Sequence, residues 1–77
     1  MRVLFSSFYR IDTEVAAQFK KSANLVQRFQ VTHISEPVGD TVSIRVPDAQ
    51  DVDFEAYLKN QGKPYRWDYR LVEGASV

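Results

Sequence analysis

The stretch PYRWDYR, residues 64–70, alternates aromatic and charged side chains. Successive side chains of an extended strand point to opposite faces, so a strand here separates the two kinds of residue. The two sets are the aromatic Tyr65, Trp67 and Tyr69 and the charged Arg66, Asp68 and Arg70. The aromatic face has the chemistry of a base-stacking platform or of a hydrophobic core. The other face carries guanidinium groups, which suit the binding of carboxylates and phosphates.

A second group with chemical potential is the acidic run Asp51, Asp53 and Glu55, since alternate carboxylates are ligands for Ca²⁺ or Mg²⁺. The spacing is unfavourable for a metal site, because the run lacks the glycine and the bidentate glutamate of a calcium loop. Acids at the start of a helix explain the run better. We therefore predict no metal ion and no other cofactor.

Catalysis would depend on His33, which is the only histidine of the chain. A Ser6 or Ser7 nucleophile activated by His33 is compatible with the composition, but no elbow motif or spacing supports it. The chain also lacks cysteine and therefore has no thiolate metal ligand and no disulfide. These observations favour a protein that is not an enzyme.

The composition is that of one small globular domain, with 77 residues, 44% of them hydrophobic and 26% charged. The opening stretch MRVLFSSFYR has an apolar run too short for a signal peptide or a membrane span, so we expect a cytoplasmic protein that does not bind membranes. Ten basic residues balance ten acidic ones. The charges are segregated, since residues 36–55 hold six acids and one base. This distribution suits a protein that meets a charged partner on one side.

The first half of the chain predicts a strand and a helix, followed by a second strand. Residues 2–10 are rich in Val, Phe and Tyr and predict the strand. Asp12 or Thr13 caps the helix, which either runs to about Arg28 or ends at Asn24. We prefer the longer helix, which leaves residues 30–35 for the second strand; the shorter one would give a strand over 25–34.

The second half predicts a turn at 36–39, a strand at 41–46, a helix at 52–61 capped by Asp51, and a strand at 65–72. Residues 1–73 then form a single domain, and residues 74–77 form a frayed tail. The order is β-α-β-β-α-β, the ferredoxin-like α+β arrangement. Its four-stranded antiparallel sheet carries two helices on one face and leaves the other face open.

Alternation through the strands predicts which side chains occupy the open face. Burial of the largest apolar groups directs Val42, Ile44 and Val46 inward, together with the aromatic set of residues 65–69. The open face then receives Arg2, Arg10, Arg45, Arg66 and Arg70 around Phe8. Of these we predict as partner-binding residues Phe8, Arg10, Arg45, Arg66 and Arg70.

An arginine-rich face on a neutral protein suggests a small non-enzymatic binding module. Such a module, a regulator or an inhibitor, would dock this face or a sheet edge onto an acidic protein partner. One alternative is a single-stranded nucleic-acid-binding protein that uses the same arginines and Phe8. A second alternative is a subunit of a homo-oligomer, for example a homodimer. The ribonucleoprotein signatures of RNA-recognition motifs are absent from the sequence.

Overall fold

The computed structural model describes residues 3–74 and is an α+β protein with an open four-stranded antiparallel sheet and three α-helices. A short 3₁₀ turn, Asp48–Gln50, precedes the last helix. The elements in chain order are β1 (Val3–Asp12), α1 (Thr13–Lys21), α2 (Ala23–Phe29), β2 (His33–Ile34), β3 (Thr41–Pro47), α3 (Asp51–Gln61) and β4 (Tyr65–Gly74). The strand order across the sheet is β2-β3-β1-β4. Of the predicted frayed tail 74–77, Gly74 instead ends β4 opposite Val3, while residues 75–77 and Arg2 lie outside the described residues.

The segment between β1 and β2 is two helices rather than the predicted single one. Ser22 is extended, with φ −122° and ψ 106°, and its Oγ accepts a hydrogen bond from Leu25 N at 3.3 Å. Its side chain therefore caps α2 and ends the preceding helix. The predicted cap of α1 is confirmed, because the Asp12 carboxylate accepts from Glu14 N at 2.9 Å.

The end of α2 agrees with the preferred alternative, a helix to about Arg28, since α2 ends at Phe29. Gln30, not Asn24, takes the left-handed conformation, with φ 54°, and it closes α2. Only His33–Ile34 then pair as β2, so the predicted strand over 30–35 is too long. The predicted cap at Asp51 is wrong as well, since Asp51 is the first residue of α3.

The hydrophobic core lies between the helices and one side of the sheet. Phe54 of α3 is its centre, with ring centroids 5.1 Å from Tyr9, 5.6 Å from Phe19 and 5.5 Å from Phe29. The inward residues of β3 are Val42, Ile44 and Val46, as alternation predicts. We call this side of the sheet the helix side, and the opposite side the open face.

A β-bulge in β4 changes which side its residues face. Phe8 of β1 lies opposite Tyr69, whereas the next residue, Tyr9, lies opposite Trp67. One step along β1 therefore spans two steps along β4, and Asp68 is the extra residue. Beyond Asp68 the alternation is reversed relative to the prediction, because an extra residue shifts a strand of period two by one position.

The reversal corrects two predicted side-chain positions. Tyr69 does not enter the core but lies on the open face opposite Phe8, with 48% of its surface exposed. Trp67 keeps its predicted side of the sheet, but it is 49% exposed and the prediction that it belongs to the core is wrong. Arg70 lies opposite Ser7 on the helix side, so it does not belong to the open face. Arg10, Arg45 and Arg66 do lie on the open face, as predicted.

Candidate functional site

The centre of the open face is an aromatic stack rather than a free phenylalanine. The rings of Phe8 and Tyr69 are nearly parallel, at 10° and with 4.6 Å between centroids. His33 lies 6.1 Å from the Phe8 ring and the Arg45 guanidinium 5.8 Å from it. Phe8 is therefore covered, at 9% exposure, and the partner-accessible aromatic surface belongs to Tyr69.

Arg45 is held within the protein. Its guanidinium donates to the Glu73 carboxylate, and the same group lies against the Phe8 ring. A nearby carboxylate neutralises most of the local charge of an arginine, so Arg45 contributes little net positive charge to the open face. Only its position on the open face supports its predicted role in partner binding.

Arg10 and Arg66 form a second cluster, at the end of the sheet where β4 begins. The two residues lie directly opposite each other on neighbouring strands. Each places one Nη2 atom 3.8 Å from a different oxygen of the Asp68 carboxylate. Two guanidinium groups thus share one carboxylate at long distance. We call the cluster Arg10, Arg66 and Asp68 the arginine corner.

The arginine corner has unused hydrogen-bond donors. Arg10 Nη1 donates to Thr41 Oγ1 at 3.3 Å, whereas Arg10 Nε is buried and has no hydrogen-bond partner within residues 3–74. The Arg66 side chain is 69% exposed. Guanidinium groups bind carboxylates through paired donors, so the exposed Arg66 guanidinium is chemically suited to an incoming carboxylate.

A cavity of about 180 Å³ opens beside this cluster. Its lining residues are Arg10, Thr41, Pro64, Tyr65 and Arg66. Sites for small molecules usually measure about 300 to 1,000 Å³, so this cavity is small for a metabolite. Its size and charge suit a single acidic side chain of another molecule.

Arg70 instead contacts residues near the start of α3. One of its Nη atoms lies 3.3 Å from Asp48 Oδ1, without the geometry of a hydrogen bond, and its guanidinium lies 5.7 Å from the Phe5 ring. Arg70 therefore forms an ion pair with Asp48 of the same chain. The prediction that Arg70 lies on the open face is therefore wrong, because the fold places it on the helix side.

Buried polar side chains lie between β1 and α3 on the helix side. Ser7 Oγ donates to Asp51 Oδ2 at 3.0 Å, and Tyr9 Oη donates to Glu55 Oε1 at 3.1 Å. Burial raises the pKa of Asp51, and the neighbouring Asp48 raises it further. Burial also raises the pKa of Tyr9, with smaller contributions from the charges of Asp51 and Glu55.

This arrangement does not bring Ser7 together with His33 as the composition would allow. Ser7 donates to Asp51 on the helix side, whereas His33 lies beside Phe8 on the open face. Within residues 3–74, no group of three or more histidine, cysteine or acidic side chains has the geometry to hold a metal ion. No helix in the same range is long and apolar enough to cross a membrane.

Of the five predicted partner-binding residues, the open face brings together Phe8, Arg10, Arg45 and Arg66. Sequence reasoning missed Tyr69, because the bulge that turns it outward has no signature in the alternation of residues 64–70. No protein-family model, curated protein or solved structure matches this chain.

Proposed function

We propose that this protein is a small non-enzymatic binding module that docks the arginine corner onto a carboxylate-bearing surface of an acidic protein partner, as a regulator or an inhibitor would. The observation that carries the proposal is the sharing of Asp68 by Arg10 and Arg66, at 3.8 Å from each. Like charges directly opposite each other on neighbouring strands destabilise a sheet. A second carboxylate, supplied by a partner, relieves this repulsion.

The surroundings favour a protein ligand over a small molecule. The cavity beside Arg10 and Arg66 accommodates one side chain, and its walls include the ring of Tyr65 and the ring of Pro64. Apolar walls lower the local dielectric constant and strengthen a charge-assisted hydrogen bond. An aspartate or glutamate that projects from a partner surface therefore fits both the charge and the size of this cavity.

The fold that we propose for this module is the ferredoxin-like arrangement. The strand order β2-β3-β1-β4 supports it, because β1 and β2 are separated by β3, and β3 and β4 by β1. Each half of the chain then crosses over one strand through a helical connection. On this interpretation α1 and α2 are one crossover that Ser22 divides in two.

Single-stranded nucleic acid is a second candidate ligand, and the exposure of Tyr69 favours it. Tyr69 is 48% exposed, stacks on Phe8 and shares the open face with Arg66. Bases stack on such rings. Net charge argues for the protein partner, because the ten basic residues are balanced by ten acidic ones, whereas phosphate-dominated binding usually involves a basic domain.

Titration of the protein with a glutamate-rich peptide and with a thymidine oligonucleotide tests both candidates. We expect the peptide to bind, and Arg66→Ala to weaken it by about tenfold, since a hydrogen bond to a charged group contributes about 1.5 to 3 kcal/mol. Arg70→Ala is the matched control, because it removes the same charge from the helix side. Its affinity should stay within about twofold of the parent protein.

The two ligands give distinguishable outcomes. Equal losses in Arg66→Ala and Arg70→Ala would show that only net charge matters and would contradict a role for the arginine corner. Binding of the oligonucleotide that falls steeply with salt and is lost in Tyr69→Ala would favour the nucleic-acid candidate instead.

A further inference from the structure

The outer edge of β4 is the longest free strand edge that the structure describes. β4 has 10 residues and stands at one end of the sheet, where β1 pairs with its inner edge. Within residues 3–74, no strand pairs with its outer edge. Free N–H and C=O groups along such an edge are a template for another strand.

Exposed apolar residues lie on both faces of this edge. Trp67 is 49% exposed and Val72 is 55% exposed on the helix side, while Tyr69 is 48% exposed on the open face. Lysine, proline and short length are common means of keeping an edge strand single, and β4 has no lysine and no proline, although it has a bulge at Asp68 and a charge on the helix side at Arg70. Its exposed apolar residues are those that another strand would cover.

We propose that the occupant is a second copy of this chain, with β4 of one copy pairing antiparallel with β4 of the other about a two-fold axis at Arg70. The paired sheets would then form one continuous sheet of eight strands. The argument concerns the outer edge of β4 and does not depend on the proposed acidic partner.

The bulge limits the registers in which β4 can pair with itself. Antiparallel pairing places side chains of directly opposite residues on the same face. Because sidedness reverses at Asp68, a register that keeps like faces together must pass over Asp68 in both copies. Centring the axis on Arg70 does this. Every residue from Tyr65 to Gly74 except Asp68 then has an opposite residue in the other copy. The opposite pairs are Tyr65 with Gly74, Arg66 with Glu73, Trp67 with Val72, Tyr69 with Leu71, and Arg70 with itself.

The chemistry of these pairs is complementary. Arg66 of each copy lies opposite Glu73 of the other on the open face. Each Glu73, which already pairs with Arg45 of its own chain, thereby gains a second oppositely charged neighbour. Trp67 lies opposite Val72 on the helix side, where Phe5 also lies beside Val72. Aromatic and β-branched residues are favourable cross-strand neighbours. The register thus covers the exposed apolar residues of both faces at once.

The Arg70 pair at the axis is the least favourable feature of this register. Each Arg70 is accompanied by Asp48 of its own chain at 3.3 Å and lies over its own Phe5 ring, so the two positive charges are partly compensated. A register centred on Leu71 avoids this contact, but it places Arg70 opposite Val72 and Trp67 opposite Gly74, which has no side chain to cover the indole ring. The register centred on Arg70 is therefore favoured, because it places Arg66 opposite Glu73 and pairs a longer part of β4.

Charge reversal tests the proposal, with the mass in solution followed by sedimentation equilibrium from low micromolar to near-millimolar protein. We expect the parent protein to form a dimer. Arg66→Glu and Glu73→Arg should each raise its dissociation constant by about tenfold or more, because each change turns two attractive pairs into two repulsive ones. The double variant Arg66→Glu, Glu73→Arg should return to within about threefold of the parent value.

Recovery in the double variant reports contact between copies. Arg66 and Glu73 are seven residues apart in one strand, about 23 Å, so they cannot pair within one chain. Val52→Glu, at an 82% exposed position of α3, is the control and should leave the dissociation constant unchanged. Val72→Thr keeps the β-branched shape and should weaken the dimer without a change in charge.

A parent protein that stays monomeric throughout the concentration range would overturn the proposal. So would a double variant no tighter than the two single variants. Circular dichroism checks that each variant is folded; if either charge variant is not, Val72→Thr decides, and an unchanged dissociation constant in that variant would also overturn the proposal.

Discussion

Asp51 is a carboxylate that the fold places at an energetic disadvantage. Its Oδ2 accepts from Ser7 Oγ at 3.0 Å, while its buried Oδ1 has no hydrogen-bond partner in the described part of the chain. Burial raises its pKa above the ordinary value of 3.8, and the adjacent Asp48 raises it further. The folded protein therefore holds a proton here at pH values at which the unfolded chain has lost it.

This proton predicts how stability responds to pH. A raised pKa in the folded state favours folding below the ordinary value of 3.8, and the benefit is lost as the pH rises through the raised pKa. Asp51→Asn keeps an acceptor for Ser7 and stays neutral. The free energy of unfolding of the variant, relative to that of the parent, should therefore increase from pH 3 towards neutral pH, measured by urea denaturation at each pH.

Asp53→Asn is the control for net charge, since Asp53 belongs to the same helix and is exposed. If the difference between Asp51→Asn and the parent were constant with pH, or fell as the pH rose, Asp51 would not be the group that holds the extra proton.

Four arginines of the predicted face illustrate what residue type alone leaves undecided. Arg45 pairs with Glu73, Arg70 pairs with Asp48, and Arg66 shares Asp68 with Arg10. The sequence predicts that Arg10, Arg45 and Arg66 share a face, because each position follows from strand alternation. It does not predict the partner of Arg45, because Glu73 lies in another strand and its proximity depends on the strand register.

At the scale of elements, periodicity predicts most of the fold, and single-residue irregularities account for the errors. The strands near β1, β3 and β4 and the helix near α3 lie where apolar patterning places them. The division at Ser22 was missed because a serine is compatible with a helix interior as well as with a cap. The side reversal in β4 was missed because a bulge depends on pairing with β1, which no local pattern in β4 reveals.

The bulge predicts that β4 tolerates the loss of one particular residue. Deletion of Asp68 leaves Trp67 on the helix side followed directly by Tyr69 on the open face, which is the regular alternation of an unbulged strand. We expect this variant to fold, with a loss of about 1 to 2 kcal/mol from the missing carboxylate between Arg10 and Arg66. Urea denaturation measures the loss.

Deletion of Ser43 is the comparison, because β3 has no register shift in its pairing with β1. That deletion turns either Val42 or Ile44 away from the core and should cost more than about 3 kcal/mol. If the two deletions were equally destabilising, Asp68 would not be an inserted residue of the kind that the register indicates.

At the scale of the whole molecule, stability depends on a few aromatic contacts between the layers. A domain of this length has a free energy of unfolding on the order of 4 to 12 kcal/mol. The ring of Phe54 contacts Tyr9 of β1, Phe19 of α1 and Phe29 of α2, so all four elements meet at one side chain. The chain has no disulfide to compensate for a loss there.

Phe54→Ala should therefore lower the free energy of unfolding by about 3 to 5 kcal/mol, because the cavity it leaves borders three other rings. Phe5→Ala removes the same atoms from a side chain that is 43% exposed, and it should cost no more than about 1.5 kcal/mol. Denaturation at low micromolar concentration keeps any self-association through β4 from adding to either value. A similar loss of unfolding free energy in both variants would mean that Phe54 does not join the layers. In that case the helices and the sheet would unfold independently, and the unfolding transition would be broad.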